Sequence, residues 1–277
     1  MKILYIAHSS ERIHRRTAYA ILSCLQIHGG TPPCPVELVT DTPEFYAPLT
    51  PHIEIISVEP ALIADWHRAA GGYPLATKTE VLARQKDSFL FLDGDTVLLR
   101  PLPPLLTQIG PGISVFQKRE YRLGPRPDYR TLVADPAFPD YTSRTVMYNS
   151  GMLGVHRENL PILQQARDMT FAIFAKHPIR PIDQLVVATM LGKRTRILTA
   201  ASQIYHYWQD KAFPDAFMDR FFDGMGLAEM VRRVAGGDGA PLFALGFRRN
   251  PFLYDLYMRA TARVDMLTER FRRPCPF

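Results

Sequence analysis

Cysteine is scarce in this 277-residue sequence: Cys24, Cys34 and Cys275 are an odd set with no CxxC pair. That excludes a disulfide framework and a cysteine zinc site, and a reducing compartment is expected. Long apolar runs are missing as well. The first, Ile3 to Ala7 behind Lys2, is too short for a secretory leader, and no later run approaches the ~20 residues of a membrane span. A cytoplasmic chain is expected. Internal repeats, low-complexity tracts and clean linkers are also absent. At 47% apolar residues, the composition excludes a disordered or fibrous chain.

Charge of neither sign dominates, with 33 Lys plus Arg against 27 Asp plus Glu and a net charge of +6. The excess suits an anionic partner such as a nucleotide, a diphosphate or an acidic membrane face. The basic residues are dispersed among acids and no nucleic-acid motif is present, so nucleic acid is not expected as a partner.

Short β-branched or aromatic runs alternate with amphipathic segments. Ile3 to Ala7, Val36 to Thr40, Ile53 to Val58 and Phe89 to Leu92 read as strands. Arg12 to Ile27, Thr77 to Gln85, Asn159 to Lys176 and Ile182 to Leu191, the last just after Pro181, read as helices. Gly151 to Val155 is a further strand. The alternation predicts an α/β fold with a mostly parallel sheet covered on both faces. Between these elements Gln117 to Met147 is rich in proline, tyrosine and arginine and reads as a long excursion near a site.

Phe89-Leu90-Phe91-Leu92-Asp93-Gly94-Asp95 carries the most chemical information. In open α/β sheets ligands bind beyond the carboxyl ends of the strands, where Asp93 and Asp95 would stand. Alternate residues of an extended turn can face one ion, and their hard oxygens suit Mg²⁺ or Mn²⁺ bridging to phosphate. Gly94 lets backbone approach closely. An EF-hand is excluded because Val97 occupies the place of a third oxygen ligand.

With Lys78 in ATKTEVL, FLFLDGDTVLLRPL from Phe89, YNSGMLGV from Tyr148, PIDQLVV from Pro181 and IYHYWQDK from Ile204, the chain resembles the GT-A-type glycosyltransferases. The likeness is to the family 8-like group of bacterial lipopolysaccharide galactosyl- and glucosyltransferases and glycogenin, in the family's order over about residues 2 to 211. The resemblance implies a GT-A-type, Rossmann-like three-layer sandwich with a mixed, mostly parallel central sheet. It implies a glycosyltransferase domain over 1–211, with a nucleotide-binding half (1–110) and an acceptor half (111–211), and a C-terminal helical extension over 212–277.

Carried over residue by residue, the resemblance implies that Asp93, Asp95 and His206 hold Mn²⁺ or Mg²⁺, with Asp93 also near the ribose of a nucleotide diphosphate sugar. Lys78 would contact the nucleotide or orient the Asp93–Asp95 loop, and Lys211 would meet the diphosphate. Asn149 and Ser150 would lie beside the donor sugar, Asp183 and Gln184 would bond it, and Gln184 would sit near the reacting carbon. Ala7 and His8 stand against the nucleotide, where the family commonly has an acid, and a UDP-sugar remains the default donor. Transfer with retention is implied. An inverting enzyme would need a carboxylate base, for which Asp135, Asp140 and Asp183 are candidates.

Each position also has a plain structural reading. His206 fits a hydrogen-bonded interior histidine, Asp183 a first-turn acid of a helix, Asn149 and Ser150 a turn, and Lys78 a solvated helix residue. The order of the five segments weighs against them together.

The acceptor is expected to be a glycan or lipid-linked glycan. Over it would lie the excursion Lys118 to Arg144, with Tyr121, Tyr129 and Tyr141 to stack on sugars and Arg119, Arg122, Arg126 and Arg130 to meet acidic groups. The arginine-rich segment Pro251 to Phe271 reads as an amphipathic helix, either packed on the domain or lying on the inner face of a membrane. Two rivals remain at the level of sequence. One is a haloacid dehalogenase-like phosphatase, which shares the strand-DxD opening, although Gly237-Asp238 lacks the second acid of its metal motif. The other is a non-catalytic nucleotide-sugar-binding scaffold.

Overall fold

The computed structural model describes residues 1–207 and 211–236. The first part of the chain runs β1 (Lys2–Ala7), α1 (Glu11–Ile27), β2 (Val36–Thr40), β3 (Glu54–Ser57), α2 (Pro60–Ala69), α3 (Ala76–Ala83) and β4 (Phe89–Leu92). It continues through β5 (Thr96–Leu98), α4 (Pro103–Leu106), β6 (Ile113–Arg122), α5 (Arg130–Ala134) and β7 (Val146–Val155). The last described elements are α6 (Leu160–Lys176), α7 (Ile182–Gly192), β8 (Arg196–Thr199), β9 (Ile204–His206) and α8 (Ala212–Ala235).

Seven strands form one sheet in the order β3-β2-β1-β4-β7-β6-β8. From β3 to β4 all neighbours are parallel. β7 runs against both β4 and β6, and β8 is parallel to β6. One reversed strand among the seven makes the sheet mixed and mostly parallel, as expected. The residues expected as two halves, 1–110 and 111–211, contribute β1 to β4 and β6 to β8 respectively to this single sheet.

Local chemistry explains the main elements. All four residues of β4 are buried, as suits a strand covered on both faces and reading as a continuous apolar run. In α1 the Ser10 side chain accepts the Ile13 N–H, and the buried residues include Ala18, Ile21, Leu22 and Leu25, one helical stripe. The helix stops before Gly29 and Gly30, both at positive φ, which glycine adopts without strain. Helices flank the sheet, with α1 packed on α8 and with α3, α6 and α7 packed together. Arg16 of α1 binds Asp215 of α8 through both carboxylate oxygens, at 2.7 and 2.5 Å. Among the described residues no helix is long and apolar enough to cross a membrane.

The excursion predicted over Gln117 to Met147 is shorter in the structure, because β6 extends to Arg122 and β7 begins at Val146. Two register shifts let the polar end of β6 stay paired while it emerges from the core. Within the remaining loop Tyr129 and Tyr141 are 1% and 3% exposed, so these rings plug the core and do not stack on sugars. The Tyr121 ring lies under Arg126 and its hydroxyl bonds Tyr129. Arg119, Arg122 and Arg130 remain exposed. The helix expected over Pro251 to Phe271, and with it any membrane contact, lies outside the described residues.

Candidate active site

The carboxyl end of β4 delivers Asp93, Gly94 and Asp95 directly into β5. Because β7 runs the other way, Asn149 to Gly151 arrive beside that end, and the Asp93 N–H donates to the Gly151 carbonyl at 2.9 Å. The Thr96 hydroxyl closes the turn on the Asp93 carbonyl at 2.6 Å. Gly94 is required sterically: a Cβ there would lie 2.2 Å from Thr17 Oγ1 of α1.

β5 pairs antiparallel with β9, with Thr96 opposite His206. The pairing brings the imidazole back to the two aspartates, with Nε2 3.0 Å from Asp95 Oδ1 and 3.9 Å from Asp93 Oδ2. One ligand atom from each of Asp93, Asp95 and His206 lies within 4.8 Å of the others. Two carboxylates and one imidazole form a donor set that fits Mg²⁺ or Mn²⁺.

Both aspartates already face a lysine. Lys78 reaches Asp93 at 3.0 and 3.2 Å and also the Ser150 hydroxyl and carbonyl at 3.2 and 3.3 Å. Its ammonium lies over the Phe91 ring, 4.6 Å from the centroid. Lys211 reaches Asp95 at 2.7 Å. Burial would raise the Asp95 carboxyl, but His206 and Lys211 outweigh it and hold the group well below the usual carboxylate range.

Asp183 and Gln184 open α7 on a small cavity next to this cluster, which they share with Lys78, Thr79, Ser150 and Arg167. The Gln184 carboxamide oxygen accepts the Ser150 N–H at 3.3 Å. Asp183 is 5% exposed; the Tyr73 hydroxyl lies 2.6 Å from its Oδ1 and accepts its N–H at 3.1 Å. Burial raises its carboxyl above the ordinary range, with Lys78 and Tyr73 pulling the other way. Of the three base candidates Asp183 is the one on this cavity, while Asp135 pairs with His177 at 2.8 Å and Asp140 with Lys193 at 2.5 Å.

Lys78, Asp93, Gly94, Asp95, Asn149, Ser150, Asp183, Gln184, His206 and Lys211 thus converge. Asn149 is spent inside the fold: its amide donates to Glu120 at 2.8 Å, and its carbonyl oxygen accepts the Gly151 N–H at 2.8 Å. Ala7 and His8 stand apart at the end of β1. Ala7 is fully buried, and His8, lowered by burial, bonds Ser9 at 2.6 Å beside the His67 ring.

Four contributors escape a reading of the sequence. Gln117 bonds His206, Tyr73 bonds Asp183, and the Arg16–Asp215 pair seats α8 next to Lys211. The fourth is Asp41, which follows β2 and accepts the Ser9 N–H at 2.8 Å, supplying an acid at the end of β1 after all. Its place immediately beyond a parallel strand was the available signal. A haloacid dehalogenase-like phosphatase would add a second acid pair, whereas the described cluster is completed by an imidazole and two lysines.

No family model matches the chain, and no curated protein does. Solved structures do. A galactosyltransferase, LgtC, in complex with donor and acceptor sugar analogues is 15% identical, with 71% of this chain and 73% of that one covered at a TM-score of 0.50. Mouse xyloside xylosyltransferase 1 in its apo form is 13% identical, with 80% and 94% covered at a TM-score of 0.51. With the sheet order, the reversed β7 and the acids at the end of β4, these likenesses place the chain in the GT-A fold.

Proposed function

We propose that this chain is a metal-dependent glycosyltransferase that moves a sugar from a nucleotide diphosphate sugar, by default a UDP-sugar, to a glycan or lipid-linked glycan. The observation that carries the reading is the convergence of Asp93, Asp95 and His206 with Lys78, Lys211 and the Asp183–Gln184 pair around the carboxyl end of β4.

Charge balance supports it. The two carboxylates are offset by the two lysines, so a divalent cation on Asp93, Asp95 and His206 would leave a site positive enough for a nucleoside diphosphate. When bound, such a cation supplies Lewis-acid stabilisation to a departing diphosphate. Lys78 and Lys211 lie on opposite aspartates and can turn to phosphate oxygens. Gln184, held through its carbonyl oxygen by Ser150, keeps its amide N–H groups for the sugar. Asp41 offers the nucleotide base an acceptor at the end of β1.

Retention is favoured because, of the three carboxylates, only Asp183 lines the cavity, and it is buried. Asp183 is buried against Tyr73, and Asp135 and Asp140 are paired. The phosphate leaving group then takes the acceptor proton.

The test is thermal stabilisation by UDP with and without Mn²⁺, followed by slow hydrolysis of a panel of nucleotide sugars. Mn²⁺-dependent stabilisation that Asp95→Asn abolishes is expected. Indifference of the unchanged chain to every nucleoside diphosphate would overturn the reading. The anomeric configuration of the product, read by NMR, decides retention, and an inverted linkage would refute it.

A further inference from the structure

β6 buries Ser114, Val115 and Phe116 completely and then places a carboxamide, Gln117, at 1% exposure. An amide so deep is costly unless it is bonded. The register of β6 and β7 shifts at this point: Phe116 faces Leu153 and Lys118 faces Asn149, so Gln117 alone stands opposite Ser150, Gly151 and Met152. Bulges of this kind re-aim side chains. The Gln117 carboxamide oxygen lies 2.8 Å from His206 Nδ1, and its backbone carbonyl is fixed by the Ala200 N–H at 3.0 Å.

We propose that Gln117 is a positioning residue of the candidate metal site, holding the His206 ring and keeping its proton on Nδ1 so that Nε2 is left to a cation shared with Asp93 and Asp95. A neutral imidazole has one donor and one acceptor nitrogen. Both ring nitrogens face acceptors, Gln117 at Nδ1 and Asp95 at Nε2; once a cation takes Nε2, the acceptor at Nδ1 keeps the remaining proton there. With the opposite tautomer an N–H would point into the space between the carboxylates, where a ligand lone pair is needed. Gly151 completes the clamp, since even a Cβ at that position would come within 2.3 Å of the ring. A carboxamide does this without adding a third negative charge, which a glutamate or aspartate would. Partners that orient a metal-binding histidine are generally worth 10–100-fold in metal affinity.

The inference rests on the metal site proposed above, so the experiment separates the two. Mn²⁺ affinity is measured by electron paramagnetic resonance for the unchanged chain, Gln117→Leu and Gln117→Glu. The Leu variant is expected to bind about 10–100-fold more weakly, while Glu, which keeps an acceptor at Nδ1, stays within a few-fold of the parent. Long-range ¹H–¹⁵N spectra of the unchanged chain with diamagnetic Mg²⁺ bound should show the His206 proton on Nδ1 and none on Nε2. Unaltered Mn²⁺ affinity in the Leu variant, or a bare Nδ1 in the unchanged chain, would overturn the role. Should Gln117→Leu fail to fold, the Glu variant and the tautomer of the unchanged chain still decide. Absence of both Mn²⁺ and Mg²⁺ binding by the unchanged chain sinks the metal reading and this role with it, whereas binding that Gln117→Leu leaves unaltered sinks the role alone.

Discussion

Replacing Gly151 by alanine tests the geometry of the site with a single methyl group. The new Cβ would lie 2.3 Å from both Cε1 and Nδ1 of His206 and 3.0 Å from Asn149 Oδ1. That is more than about 1 Å inside ordinary carbon contact of about 3.5 Å. The ring has little room to retreat, because it is tied to Gln117 at 2.8 Å and Asp95 at 3.0 Å and is 7% exposed. Either the imidazole leaves both partners, or β7 slides on β4 and strains the bond from Asp93 N–H to the Gly151 carbonyl. Overpacking of this kind costs about 1–3 kcal/mol, and a displaced ligand should weaken Mn²⁺ binding by 10-fold or more, the scale of losing a ligand's orienting partner. The measurements are urea denaturation for stability and an Mn²⁺ titration for the site. Gly154→Ala is the control. On the same strand its Cβ would meet Ile109 Cδ1 at 2.7 Å and Val115 Cβ at 3.1 Å, so it should cost stability and spare cation affinity. Full-strength Mn²⁺ binding by Gly151→Ala, or equal losses in both variants, would refute the reasoning.

Three further outcomes are expected. Asp183 has a folded-state carboxyl raised above its unfolded value, so ionising it opposes folding. Its penalty is absent below the ordinary carboxylate range and complete above the raised value; Asp183→Asn should therefore match the parent in urea melts below about pH 3 and exceed it at pH 7, while losing the proposed sugar transfer. Asp215→Ala strands Arg16, whose side chain is 13% exposed, and loss of one partner of a buried pair costs about 3 kcal/mol, which urea melts and faster proteolysis of α8 would show. Lys211 competes with a cation for Asp95 but is 38% exposed, so Lys211→Met should tighten Mn²⁺ alone by no more than about fivefold and weaken Mn²⁺–UDP, opposite signs that one calorimeter can record.

The centre of the sheet was legible because Phe89 to Leu92 is a continuous apolar run that ends in two acids, and such a run has few places to go except a doubly covered strand. Lys78, Ser150, Asp183 and Gln184 were reachable only through the order of their segments, since each alone suits a turn or a solvated helix. What escaped was set by tertiary pairing. β5 and β9 have three residues each, too few to show a period, although they carry the step that returns His206 to Asp95. Gln117 follows Ser114, Val115 and Phe116 and looks like the first polar residue of a loop; only the register shift against β7 turns it inward. Tyr129 and Tyr141 misled for the converse reason. A proline- and arginine-rich stretch has a loop's composition, but its aromatic rings still find the core.

The small ladder of β5 and β9 joins Thr96, Val97 and Leu98 to His206, Tyr205 and Ile204. A ribbon of two strands is marginal by itself in water, and these strands are separated by almost the whole second half of the sheet. During synthesis the aspartates therefore leave the ribosome long before the strand that supplies the imidazole, and this corner of the molecule can zip up only after β6, β7 and β8 exist. A cation gripped by Asp95 and His206 would staple the two strands at their shared end. Occupancy at a hundred times the dissociation constant would then lend the ribbon up to about 2.7 kcal/mol against opening. Amide exchange across 96–98 and 204–206 would slow in concert, making the ribbon the part of the chain that senses its ligand through its own folding.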